Sequence, residues 1–346
     1  MREKNRKSRI AGRKCRLVSG LFLLCCLFFS FTACGDAEKT IQKTEREVFA
    51  MDTIMKLTLY GDPDGAAMEK AVKEIHRIED LLSVTKKESD IARINAASGN
   101  AVKVQKETYD LIRQCQVYGD ETEGLFDISV YPVVKLWGFT TEQYQVPSGR
   151  ARKEALEKVD YKKIELLPDN RIRMAKGMAI DLGAVAKGYL SQRIMELCKE
   201  QGVDSAIVSL GGNVQTMGMK PNQEPYVVGI TDPSDGISIF GTLQVQDQAV
   251  ITSGIYQRYF DEGGKRYHHI MDKRTGMPAE NTLASVTVIT KQGDRADALA
   301  TALYVMGEEK AKEYQKKHPE IQLILIRKDG SFWQSEEAGM QREYSD

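Results

Sequence analysis

The densest run of reactive side chains is HHIMDKRTG (268–276), where His268, His269, Asp272, Lys273 and Arg274 fall within seven residues and Thr275-Gly276 closes a loop. A neutral imidazole takes a hydroxyl proton near neutral pH, so this composition points to general-base chemistry. Adjacent strand residues face opposite sides, which admits at most one of the two histidines to a site. The same run also describes a polar surface hairpin. In RADALATALYVMG (295–307), Asp297 and Thr301 lie four residues apart on one face of a helix. A carboxylate and a hydroxyl so placed suit a hard cation such as Mg²⁺, with waters or phosphate oxygens completing its shell. Capping of the helix start by Asp297 is the alternative use.

AIDLGAVAKGYL (179–190) passes from an apolar stretch into a helix through Asp181, Gly183 and Lys187. Free N–H groups at a helix start attract phosphate, and Lys187 adds a cation one turn in. The order Gly-x-x-x-Lys-Gly is not a Walker A loop, and an ordinary helix start with Asp181 capping amides fits equally well. SLGGNV (209–214) stops a strand with paired glycines, a weak sign of a ligand-facing loop. GLFDISVYPVVKLWGF (124–139) reads as a loop or strand region whose aromatics belong to a core.

The elements that must position these groups are legible as a mixture of strands and helices. A strand pattern covers about 48–60. Met68, Val72, Ile75, Ile78 and Leu82 recur at helical spacing, and Leu111, Ile112, Cys115 and Tyr118 mark a second helix ending near the turn at 119–124. Short strands are expected at 163–167, 171–175 and 178–182, a helix at 184–200 and a strand at 205–210. From 225 to 290 the chain is β-rich, with glycine, proline and aspartate punctuation. Helices at about 294–306 and 308–317 precede a last strand at 322–327. Strands and helices without strict βαβ alternation indicate an α+β fold.

The chain has 346 residues, with 49 basic and 49 acidic side chains. Eight of the basic ones and only Glu3 of the acids lie in residues 1–33. They precede the uncharged run from Leu17 to Phe31 and Thr32-Ala33-Cys34, the pattern of a secretory signal too short to span a membrane. The cysteine after small residues resembles a lipobox, which makes Cys34 the expected lipidation site and mature N-terminus. The expected organisation is a signal over 1–33, a polar tether over 34–46 and one catalytic domain over 47–346. Its surroundings are the extracytoplasmic face of the cell membrane, reached through the lipid. A mature chain would carry 41 basic and 48 acidic residues, a net charge of −7 that excludes a nucleic-acid partner. Cys115 and Cys198 are expected as buried small hydrophobes.

Taken in order, Met51-Asp52-Thr53, GLFDISVYPVVKLWGF, DLGAVAKGY, SLGGN, SGIYQRYF, HHIMDKRTG and DALATAL resemble the ApbE family over about 47–327. That resemblance implies a T-fold-like α/β core with additional elements in a single two-lobed catalytic domain. It also implies transfer of FMN from FAD to a Ser or Thr hydroxyl of an exported protein, with Mg²⁺ as cofactor and AMP released. Met51, Leu125, Phe126, Asp127, Asp181, Lys187 and Met271 match family positions that contact FAD. The backbone oxygen of Ala184 and the side chains of Asp297 and Thr301 match the Mg²⁺ ligands, and His269 matches the base. Flavin-accepting subunits of membrane redox complexes, of Rnf and Nqr type, with a Ser/Thr-Gly-Ala-Thr-like segment, are the partners implied.

Three departures stand out. Asp52 replaces a usual glycine, Gln257 stands where many members have glutamate, and Lys273 sits where proline is usual, which is expected to loosen the loop after Asp272. Hydrolysis of FAD to FMN and AMP, and storage of FAD by a non-catalytic lipoprotein, are the rival readings.

Overall fold

The computed structural model describes residues 41–343. The signal, Cys34 and most of the tether lie outside the described residues. From Gln42 onward the chain is one compact unit. Its first strand begins at Lys43, four residues before the domain boundary read from sequence.

Eight strands form the main sheet: β1 (Lys43–Ala50), β2 (Thr53–Tyr60), β3 (Ser205–Leu210), β4 (Asn213–Met217), β5 (Ala249–Gly254), β6 (Leu283–Thr290), β7 (Gln322–Arg327) and β8 (Phe332–Gln334). They lie side by side in chain order, and every neighbouring pair is antiparallel. The single strand expected over 48–60 is therefore a hairpin. Its turn is Met51-Asp52, both at positive φ (49° and 58°), the geometry that matches the twist of the flanking strands. Aspartate adopts this region with little penalty, so Asp52 serves where a glycine is usual.

Eight α-helices occur among the described residues: α1 (Ala66–Leu82), α2 (Asp90–Ala96), α3 (Lys106–Glu121), α4 (Tyr131–Leu136), α5 (Gly149–Leu156), α6 (Ala186–Glu200), α7 (Gly293–Met306) and α8 (Glu308–Lys317). In α1 the residues Met68, Ala71, Ile75, Ile78 and Leu82 are buried along one face. Its first amides are held by the buried Asp62 carboxylate, which accepts from Ala67 N and Met68 N at 3.0 Å each. Segment 124–139 forms a 3₁₀ turn and α4 rather than a strand, with proline in the first helical turn where its missing N–H costs nothing. Residues 178–182, expected as a strand, have no regular structure.

Alternation along the strands shows how the layers stack. Ala249, Ile251, Val286, Val288, Leu323 and Leu325 pack with Leu299 and Leu303 of α7. Val250, Ile289, Ile324 and Ile326 point the other way, against Val228, Ile230, Leu243 and Val245 of a small three-stranded sheet. Covering on both faces explains why all eight residues of β6 are buried. Cys115 and Cys198 are buried free thiols, as expected. No helix among the described residues is long and apolar enough to cross a membrane.

Candidate active site

Helices α6 and α7 cross at two glycines. A Cβ on Gly188 would lie 2.2 Å from the Gly293 carbonyl oxygen, and one on Gly293 would lie 2.3 Å from the Gly188 oxygen. Only glycine permits so close a backbone approach. The crossing brings Asp297, one turn into α7, against the start of α6. There Asp297 Oδ2 accepts the Gly188 backbone N–H at 2.9 Å. That N–H is a first-turn donor of α6 and has no partner within the helix. Ala186 N donates to Leu182 O and Tyr189 N to Val185 O, but no backbone donor reaches Gly183 O or Ala184 O at this helix start.

The Ala184 carbonyl is thus left without a helical donor. Asp297 is only 4% exposed, and among the described residues no cationic side chain pairs with it. A buried carboxylate without a counter-charge is costly, so a bound cation is the natural completion. Thr301 follows one turn later, its Oγ1 lying 3.2 Å from Ser253 Oγ at the end of β5. The donor set is all oxygen, as Mg²⁺ prefers. No group of three or more His, Cys, Asp or Glu side chains able to hold a metal occurs among the described residues. With one carboxylate, a carbonyl and a hydroxyl, the set fits an ion that keeps water or phosphate oxygens as its remaining ligands.

His269 is fixed by backbone. Its N–H and its ring Nδ1 both meet the Arg258 carbonyl, at 3.1 and 3.2 Å. A carbonyl only accepts, so Nδ1 carries the proton and Nε2 keeps its lone pair. Burial, followed by the positive charge of Arg258, holds the His269 pKa well below its ordinary value. Lys187, on the turn after Ala184, contributes to the same depression. Asp181 is shifted the opposite way: burial raises its pKa, while the Gly183 N–H at 2.8 Å and the charges of Arg258 and Lys187 partly offset this. Asp181, Lys187, Arg258 and His269 therefore form one electrostatic group. His268 has a separate environment, with Nε2 3.1 Å from the Ala279 carbonyl and its ring edge-on to Tyr304. Burial pushes its pKa down to about 4.

The other residues singled out from sequence are placed differently. Met51 gives its N–H to Glu79 Oε1 at 2.6 Å in the hairpin turn, and Leu125 is partly buried. Phe126 is inside the core, edge-to-face with Tyr118. Met271 is buried with Val133, Trp137 and Phe139. Asp127 has both oxygens engaged: Oδ1 accepts from Ser129 N and Oγ at 2.8 and 2.6 Å, and Oδ2 from Lys273 Nζ at 2.8 Å. Lys273 therefore ties its loop down instead of loosening it. Gln257 donates to the Thr252 carbonyl at 2.9 Å. Gly188, Gly293, Ser253 and Arg258 escape a reading of the sequence. Ser253 meets Thr301 across 48 residues, and the glycines act through a helix crossing, which no local pattern announces.

A family model described as the ApbE family matches residues 51–325. The chain belongs to the ApbE family. A protein of Treponema pallidum named FAD:protein FMN transferase is 31% identical over 325 residues, covering 88% of this chain and 90% of that protein. One of Klebsiella pneumoniae with the same name is 34% identical, covering 81% and 87%. The crystal structure of the ApbE protein from Thermotoga maritima superposes with a TM-score of 0.80 at 32% identity, covering 85% of this chain and 97% of that one. The flavin transferase ApbE from Vibrio cholerae gives 0.77 at 26% identity, with coverage of 85% and 97%. These matches agree with the α+β architecture expected from sequence.

Proposed function

We propose that this ApbE-family protein transfers FMN from FAD to a Ser or Thr hydroxyl of an exported protein, with Mg²⁺ as cofactor. The names of its relatives support flavin transfer. The observation that carries the finer reading is the buried, uncompensated Asp297 beside the unbonded Ala184 carbonyl, in electrostatic reach of the His269 group through Lys187.

In this reading Ala184 O, Asp297 and Thr301 hold the Mg²⁺, which when bound neutralises charge on the pyrophosphate. Lys187 and Arg258 attract the phosphates, and positioning of this kind supplies most of the acceleration in phosphoryl-type transfer. The acceptor oxygen bonds to the FMN phosphorus, the bond from that phosphorus to the bridging oxygen breaks, and AMP leaves. His269 Nε2 takes the hydroxyl proton, a role worth about 10²–10⁴ in rate. Cys34, lipidated, would keep the enzyme at the extracytoplasmic face near Rnf- or Nqr-type acceptor subunits.

Mass spectrometry of such a subunit after incubation with the protein, FAD and Mg²⁺ tests the proposal. The expected product is heavier by FMN less water, on a Ser or Thr. AMP and free FMN with an unmodified subunit would replace transfer with hydrolysis.

A further inference from the structure

A cavity of about 350 Å³ contains neither His269 nor any residue proposed to hold Mg²⁺ or FAD. It lies where the main sheet comes apart. β4 and β5 pair only through Gln215 with Ala249 and Val214 with Val250, so from Ile251 to Gly254 β5 has no strand on its β4 side. The Gly211-Gly212 turn between β3 and β4 and Thr252 of β5 line this gap. Val228, Gly229, Ile230 and Thr231 line it as well. Successive strand residues point to opposite faces, so four in a row border one cavity by presenting the edge of their strand. That strand, Tyr226–Thr231, pairs with Ile239–Val245 on one side and with no other strand among the described residues. The unpaired edge of Tyr226–Thr231 thus borders this space, the arrangement that accepts an added strand, while on the β5 side the Thr252 and Gly254 carbonyls already accept from Gln257 Nε2 and Gln257 N.

The β5 side of the cavity leads to the catalytic groups. Ser253, next to Thr252, touches Thr301. Gln257 borders the cavity, and the following carbonyl, that of Arg258, holds His269. The lining includes no cationic side chain, so it lacks what a dinucleotide's phosphates require.

We propose that the cavity receives the acceptor polypeptide as an extended segment, hydrogen-bonded along Tyr226–Thr231 and delivering its hydroxyl past β5 toward His269. This rests on the transfer reading above.

The test is amide hydrogen exchange on full-length His269→Ala protein with FAD and Mg²⁺, with and without the purified exported domain of an Nqr-type acceptor subunit. Exchange at 226–231 is expected to slow at least tenfold only when the acceptor is added. Thr231→Trp, which fills the cavity, should raise the acceptor KM at least tenfold while FAD affinity stays unchanged, and Thr231→Ser should behave as wild type. Protection by FAD alone would give the cavity to the nucleotide and overturn the proposal. Transfer by the wild type with neither acceptor protection nor a Thr231→Trp effect would overturn the docking and leave the transfer reading intact. Failure of wild-type transfer to every acceptor tried would remove both.

Discussion

Asp297 accepts the backbone N–H of Gly188, a first-turn donor of α6 that has no partner within the helix. This hydrogen bond fixes the carboxylate at the start of α6, close in the chain to the unbonded Ala184 carbonyl, and these are two of the oxygens proposed above to hold Mg²⁺. Asp297→Asn keeps an acceptor for Gly188 but removes the charge. We expect it to fold with unchanged or higher Tm, since an uncompensated buried charge is lost. Transfer should fall at least 100-fold, and Mg²⁺ should no longer raise the Tm. Thermal melts with and without Mg²⁺, beside rate measurements, check this.

The glycine crossing makes a separate prediction. In Gly188→Ala the new Cβ meets backbone at 2.2 Å, so α6 and α7 must move apart. Overpacking of this kind costs about 1–3 kcal/mol, readable as a lower urea midpoint. The same variant should need more Mg²⁺ for half-maximal rate.

His269→Ala is expected to bind FAD normally and to transfer about 10²–10⁴-fold more slowly. Because the folded pKa lies well below 6.5, the imidazole is already neutral at mildly acid pH. The histidine limb of a single-turnover pH profile should stay flat from pH 8 to about 6 and fall only as pH drops through the depressed pKa. A limb centred near an ordinary histidine value would contradict the geometry.

His268 sets a stability dependence. Its folded pKa, about 4, lies below the unfolded value of 6.5, so the unfolded chain binds the proton first as pH falls. Both states are neutral above 6.5, and stability is lost between about 6.5 and 4 with a slope approaching one proton. His268→Gln should reduce that slope in urea titrations across the window.

Lys273→Met leaves the buried Asp127 carboxylate without its ion pair. With the lysine partly exposed, the cost should be about 1–3 kcal/mol, measured by urea denaturation.

Much of this architecture is legible in the sequence because periodicity reports burial. The spacing of Met68, Ile75 and Ile78 announces α1, and Asp297 and Thr301 can be paired from their separation alone. Hidden are the features made by distant parts of the chain. Met51-Asp52 turns by backbone conformation at two residues that carry no turn signature of the usual kind, so the pattern predicts one strand where two exist. Pro132 and paired valines mask the six-residue α4. Ser148 and Ser89 cap the short helices α5 and α2, which a few residues cannot announce by periodicity. Arg258 holds His269 through its carbonyl, an atom every residue possesses, and side-chain patterns are silent about it.

Covalent transfer is the point on which the rest depends. The direct measurement is flavin fluorescence of a denaturing gel after mixing the mature protein, FAD, Mg²⁺ and an Nqr-type acceptor domain. A fluorescent acceptor band that disappears with EDTA and with Asp297→Asn is the predicted result. Absence of the band with wild-type protein while AMP is released, or a band indifferent to both EDTA and Asp297→Asn, would contradict it.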